Sequence, residues 1–131
     1  MTGSKPQPPW RVGVLFSSTG VTAAVERTQQ AAMLRAIEEV NASGGVLGRP
    51  IAPVVLDPAS RPPRYRELAK QLCDQAGVAV IFGCYMSSTR KAVLPVVEAH
   101  RARHSLRTYV GALFNYGAAR RGGGEGGAEE Q

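Results

Sequence analysis

"VAVIFGCYMSSTRKAVLPVVEA", Val78 to Ala99, is an apolar run that ends in a glycine, a tyrosine and two serines before an amphipathic pattern begins. Residues 78–82 carry the β-branched and aromatic side chains of a strand covered on both faces, which is how a parallel strand reads. Gly83 closes the run. Ser87 or Ser88 can then act as an N-cap, and between Arg90 and Ala99 the residues Val93, Val96 and Val97 fall along one helical stripe. The stretch predicts a strand, a short polar turn and a helix start. In an open α/β sheet, ligands sit at the carboxyl ends of strands, where helix N-termini offer unpaired N–H groups. On local spacing alone, helix capping accounts for the two serines as well as ligand contact does.

The same pattern occurs twice upstream. Trp10 to Phe16, "WRVGVLF", predicts a first strand entering the polar turn Ser17 to Gly20, "SSTG". A helix over about Thr22 to Asn41 follows, with Met33, Leu34, Ile37 and Val40 on one face. "NASGG" ends it. Ile51 to Leu56 predicts a second strand, and Pro53 assigns it to an edge or to the first ladder position, because proline has no N–H to donate. After Asp57, "PASRPP" reads as a loop. Arg64 to Gln75 reads as a second helix whose core stripe is Tyr65, Leu68, Ala69, Leu72, Cys73 and Ala76, stopped by Gly77. The order βαβαβα with ordinary connections predicts an α/β fold: a parallel sheet in three layers with right-handed crossovers. The first and third strands both end in hydroxyl-rich turns, so they can serve one small ligand if the strands are neighbours.

Size and charge bound the function. A chain of 131 residues, 44% hydrophobic and 6% aromatic, supports one modest core. The net charge of +6 permits general attraction to polyanions. The arginines and lysines are scattered, with no helix-turn-helix or zinc-finger spacing, so they read as solvated faces and no direct nucleic-acid partner is expected. Cys73 and Cys84 have neither C-x-x-C spacing nor companions at metal-ligand spacing, so they read as reduced thiols and no metal or cofactor is expected. No run of 18 apolar residues and no charged-then-apolar leader pattern occurs, so neither a membrane partner nor export is expected; the expected location is cytoplasmic.

Residues 1–9 read as a disordered lead-in and residues 10–116 as a partial ligand-binding lobe. Thr108 to Tyr116 can supply a fourth strand, and residues 117–131 form a low-complexity Gly/Arg/Glu tail.

Catalytic patterns are missing. The first turn is S-S-T-G rather than G-x-G-x-x-G, no Walker-type phosphate loop occurs, and no G-x-S-x-G elbow is present. Asp57 after the second strand lacks the further acidic residues that a receiver-like metal site uses, so it reads as a solvated strand cap. A small phosphate- or nucleotide-binding enzyme domain built on Ser17 to Gly20 and Asp57 stays open as an alternative. A structural or protein-association fragment, joined through an unpaired sheet edge as a homo-oligomer, stays open as another.

The segments "VGVLFSSTGVTAAVERTQQAAMLRAIEEVNASGGVLGRPI", "DPASRPPRYRELAKQLC" and "GVAVIFGCYMSSTRKAVLPVVE" resemble the amide- and urea-binding branch of the type I periplasmic-binding-protein superfamily. Within it they are most similar to the cytoplasmic amide-sensing negative regulators of amidase operons. "GCYMSSTRKAVLPVVE" is the specific part, whereas "NASGGVLGRPI" is shared across branched-chain amino-acid, amide and urea binders. The resemblance implies a non-enzymatic two-lobed protein that encloses a small amide or urea. It implies that Tyr85 and Ser87 face the ligand from the loop after the third strand, Ser87 giving its hydroxyl, and that the next contact is a threonine at or near Thr108. Ser18 and Thr19 line the first turn, where they can reach the cleft or cap the first helix. The implied partner is an RNA-binding antiterminator protein, or a permease under the transporter reading. The likeness stops near His100. Complete members are longer and carry a second lobe, so this chain corresponds to part of the first, with the tail composition expected of a shifted frame or a shortened gene.

Overall fold

The computed structural model describes residues 7–104 and 109–111. The elements are β1 (Trp10–Leu15), α1 (Ala23–Ala42), β2 (Ile51–Leu56), α2 (Pro62–Gln71), β3 (Val80–Gly83), α3 (Ser87–His104) and β4 (Tyr109–Gly111), with one π-helical turn, Leu72–Ala76, prolonging α2. The strands form one sheet in the order β2-β1-β3-β4, and every pairing is parallel. The expected α/β architecture is borne out. β2 is an edge strand, as Pro53 requires, since a central strand would lose a ladder bond there.

Side chains of β1 alternate between two cores. Val12, Val14 and Phe16 pack with Ile37 of α1 on one face, joined by Met33, Leu34 and Phe82. Leu15 packs on the other face with Tyr65, Leu68, Ala69, Leu72 and Cys73 of the α2 segment and with Val93 and Val97 of α3. One helix thus covers one face and two cover the other. This is the arrangement right-handed crossovers give when the chain first steps from β1 to β2 and then crosses back to β3.

Three local expectations change. "PASRPP" is not all loop: α2 begins at Pro62, with prolines in its first turn, where their missing N–H groups have no intrahelical partner to lose. The second helix does not run regularly to Gln75. It widens into the π turn, and the N–H of Gly77, at φ +62, closes back on the Leu72 carbonyl. The widened turn keeps both Leu72 and Cys73 buried. Finally, neither Ser87 nor Ser88 caps α3. The carbonyl of Met86 accepts from Thr89 N and Arg90 N at 3.1 and 3.0 Å and from the Thr89 hydroxyl at 2.8 Å. Both serines therefore lie exposed within the first turn.

Only Tyr109–Gly111 of the expected fourth strand falls within the described residues, and it pairs with β3 as a parallel strand should. The remainder of that stretch and the tail from 117 lie outside them, as do residues 1–6.

Candidate functional site

β1 and β3 are neighbours, with Leu15 opposite Gly83, so the first and third turns leave the sheet side by side. This is also where the strand order reverses, β2 lying on one side of β1 and β3 on the other. Such a reversal opens a crevice at the carboxyl ends of the strands. Gly83 sits at φ +134, and a Cβ there would strike the Leu15 carbonyl. The next residue, Cys84 at φ +59, donates its N–H to that carbonyl at 3.1 Å. The glycine ends the run because β3 passes too close to β1 for any side chain.

The turn after β1 is organised by Asp57 at the end of β2. Its carboxylate accepts from Ser18 N at 2.9 Å, Thr19 N at 3.4 Å, the Thr19 hydroxyl at 2.8 Å and Ala59 N at 2.9 Å. Ser18 and Thr19 therefore do not cap α1; Thr22 holds the N-cap position, without a side-chain cap bond. Partial burial works to raise the Asp57 carboxyl, but hydrogen bonds from Ala59, Thr19 and Ser18 outweigh it and hold the group below its ordinary 3.8. A carboxyl depressed in the folded state contributes stability above its ordinary value, and that contribution is lost as pH falls through the folded value. We expect Asp57→Asn to lower the thermal midpoint at pH 7 and to flatten the acid limb of midpoint against pH below about 4. An unchanged acid limb would remove Asp57 from this role.

Beneath the turn lies a buried polar cluster. Glu26 of α1, wholly buried, accepts from Ser17 N at 2.8 Å, from the Tyr65 hydroxyl at 2.7 Å and from the Thr22 hydroxyl. The Ser17 hydroxyl bonds Tyr65 at 2.8 Å and accepts from Ser60 N at 2.8 Å. Ser60 in turn bonds the Thr19 carbonyl and the Thr22 hydroxyl. Ala59 and Ser60 are both at positive φ, +53 and +59. Gly20 faces them so closely that a Cβ would meet Ser60 and the Ala59 carbonyl. Two loops are thus locked together below the crevice. Burial, with the Glu26 charge beside it, raises the Tyr65 phenol above its usual range. The same two causes push the buried Cys84 thiol up to about 12, so Cys84 packs as an unionised group.

Of the expected ligand residues, Tyr85 is 38% exposed and Ser87 stands exposed two residues on. Ser18 is half-buried with its N–H engaged by Asp57. Thr108 lies outside the described residues. The register brings the segments bearing Ser18 and Tyr85 to adjacent strand ends, which meets the condition that the sequence left open. Glu26 was missed. Its signal was a polar residue on the buried stripe of α1, in phase with Gln29, Met33 and Ile37.

A phosphate loop at this turn is disfavoured on geometry. The Ser17, Ser18 and Thr19 N–H groups that an anion would need are already engaged by two carboxyl groups. Among the described residues no group of three His, Cys, Asp or Glu could hold a metal ion, and no helix is long and apolar enough to cross a membrane.

The model of the periplasmic binding protein domain family matches residues 10–106. The chain belongs to this family. Solved structures agree on the fold. The branched-chain amino acid transporter substrate binding protein LivJ of Streptococcus pneumoniae, in complex with isoleucine, is similar at 24% identity and a TM-score of 0.69 over 79% of this chain and 29% of that one. The leucine binding protein LivK of Thermotoga maritima is similar at 23% identity and 0.67, over 79% and 28%. The leucine-, isoleucine-, valine-, threonine- and alanine-binding protein of Brucella ovis, in a closed conformation, reaches 0.70 at 18% identity, over 78% and 26%. The chain spans less than a third of the length of each. As part of a periplasmic binding protein, it matches a portion of the type I fold in its strand order and crossovers, with the β1/β3 reversal at the carboxyl ends of the strands.

Proposed function

We propose that this unit forms one wall of a cleft for a small neutral amide, urea or related solute, as the non-enzymatic ligand-sensing part of a binding protein. The observation that carries the reading is the meeting of the first and third turns at the sheet's reversal point. Exposed Tyr85 and Ser87 lie on one side, and Ser18 lies on the other. Val21, at the tip of the β1–α1 connection, adds exposed apolar surface at the same end of the sheet. Hydroxyls and helix-start N–H groups suit a neutral carbonyl and amine, and an aromatic ring supplies apolar contact beside a polar rim. Among the described residues, the carboxyl groups of Asp57 and Glu26 at this end are engaged within the protein. This wall suits a neutral carbonyl without an ionised partner. Thr108 completes the proposed ligand set. In the regulator reading the unit acts in the cytoplasm on an RNA-binding antiterminator protein; in the transporter reading it delivers its solute to a permease.

The test is thermal unfolding of the full chain titrated with acetamide, butyramide, urea and leucine, beside Tyr85→Ala and Ser87→Ala. A ligand that binds only the folded state stabilises it, by about 2.7 kcal/mol at a free concentration of about a hundred times Kd, and so raises the midpoint. We expect a rise with an amide or urea that both variants abolish. A rise with leucine alone would replace the amide by an amino acid. No rise, together with a concentration-dependent dimer, would favour the association reading.

A further inference from the structure

We propose that Glu26 is a positioning residue: through Ser17 and Tyr65 it holds the turn Ser17 to Gly20 in its binding geometry. The part concerning ligand response rests on the amide-cleft reading above; the part concerning the order of the turn does not. Glu26 belongs to α1, which packs on the Val12, Val14 and Phe16 face of the sheet. Tyr65 belongs to the α2 side, in the core of Leu15 and Ile81. Their hydrogen bond at 2.7 Å passes across the carboxyl end of β1, and the backbone N–H of Ser17 joins the same carboxyl oxygen at 2.8 Å. The first residue of the turn is thus fixed from both faces of the sheet at once. Beyond it, Thr22 links Glu26 to Ser60, and Ser60 bonds the Thr19 carbonyl at 3.0 Å.

A wholly buried carboxyl group costs stability unless both its oxygens find donors. An apolar residue at position 26 would extend the core stripe of α1 without that requirement. What the carboxyl group adds is direction: it draws together three donors on two helices and a strand end, all below the crevice.

The measurement is backbone amide hydrogen exchange and amide chemical shift, with and without acetamide, on the full chain and on Glu26→Gln, Glu26→Leu and Tyr65→Phe. In Glu26→Gln the amide oxygen keeps the Ser17 and Tyr65 donors. Its NH2 then faces Thr22, whose hydroxyl turns to donate to Ser60. Exchange at 17–20 is expected to stay close to that of the unaltered chain. In Glu26→Leu, exchange at 17–20 should rise at least about tenfold while Ile81 stays protected; acetamide shifts should vanish at Ser18 and persist at Ser87. Tyr65→Phe removes one arm and should raise turn exchange selectively, which decides the matter if the leucine variant does not fold. Unchanged turn exchange in Glu26→Leu and Tyr65→Phe overturns the proposal, as does an equal rise at Ile81 or a failure of Glu26→Gln to restore protection. If acetamide moves no resonance of the unaltered chain, the amide reading fails while the exchange contrast still decides the role of Glu26.

Discussion

Gly83→Ala is expected to destabilise the protein by about 3 kcal/mol or more, or to prevent folding. A residue with a Cβ pays roughly 1–3 kcal/mol for a backbone conformation this far from its allowed regions. Here the added carbon also strikes the Leu15 carbonyl on the neighbouring strand. Relief requires β3 to move away from β1, which breaks the Cys84 N–H bond to that carbonyl and opens both cores. Gly77→Ala is the control. It too sits at positive φ, but a Cβ there meets nothing within 4 Å, so only conformational strain is added, about 1 kcal/mol. Equilibrium denaturation of the two variants separates strain from collision. Equal losses would show that the close approach of β1 and β3 contributes nothing.

Leu72→Ala is expected to cost about 3 kcal/mol, a fall in midpoint of about 12 to 24 °C for a domain this size. Leu72 is wholly buried in the π turn. It lies over Gly13 of β1, where a Cβ would come within 2.8 Å of Leu72 Cδ1. The pair should therefore be coupled. Gly13→Ala alone overpacks the site and destabilises, whereas in a Leu72→Ala background the new methyl enters vacated space and should recover part of the loss. Additive losses in the double variant would mean that the two residues do not share that space.

These two positions also separate what could be read in advance from what could not. The third strand, expected over 78–82 and found at Val80–Gly83, the core stripe of α2 and the edge position of β2 were legible because each is a local property. Burial on both faces removes alternation, a helix repeats its stripe every three to four residues, and proline withholds one donor. Gly83 was legible as a stop, but its reason was not, because the carbonyl it avoids lies 68 residues away in the chain, by the numbering of Leu15 and Gly83. The N-cap assignment of Ser87 or Ser88 failed for a related reason. Several hydroxyls in a row make the start ambiguous, and the buried Thr89 fixed it by bonding back to Met86.

The candidate site divides in the same way. Tyr85 and Ser87 were named through the family resemblance, and Ser18 because it lies in the hydroxyl-rich turn after the first strand. Asp57 read as a solvated cap and Glu26 was not singled out, yet these two carboxyl groups give the turn its shape. The order of elements, their amphipathic faces and the parallel sheet were determined by the sequence itself, since hydrophobic periodicity and turn chemistry act over a few residues. Tertiary structure alone decided which strand ends meet, which N–H groups are already satisfied and why a carboxyl group is tolerated in the core. Those properties depend on donors and acceptors brought together from α1, the end of β1 and α2, and no local pattern encodes their distances.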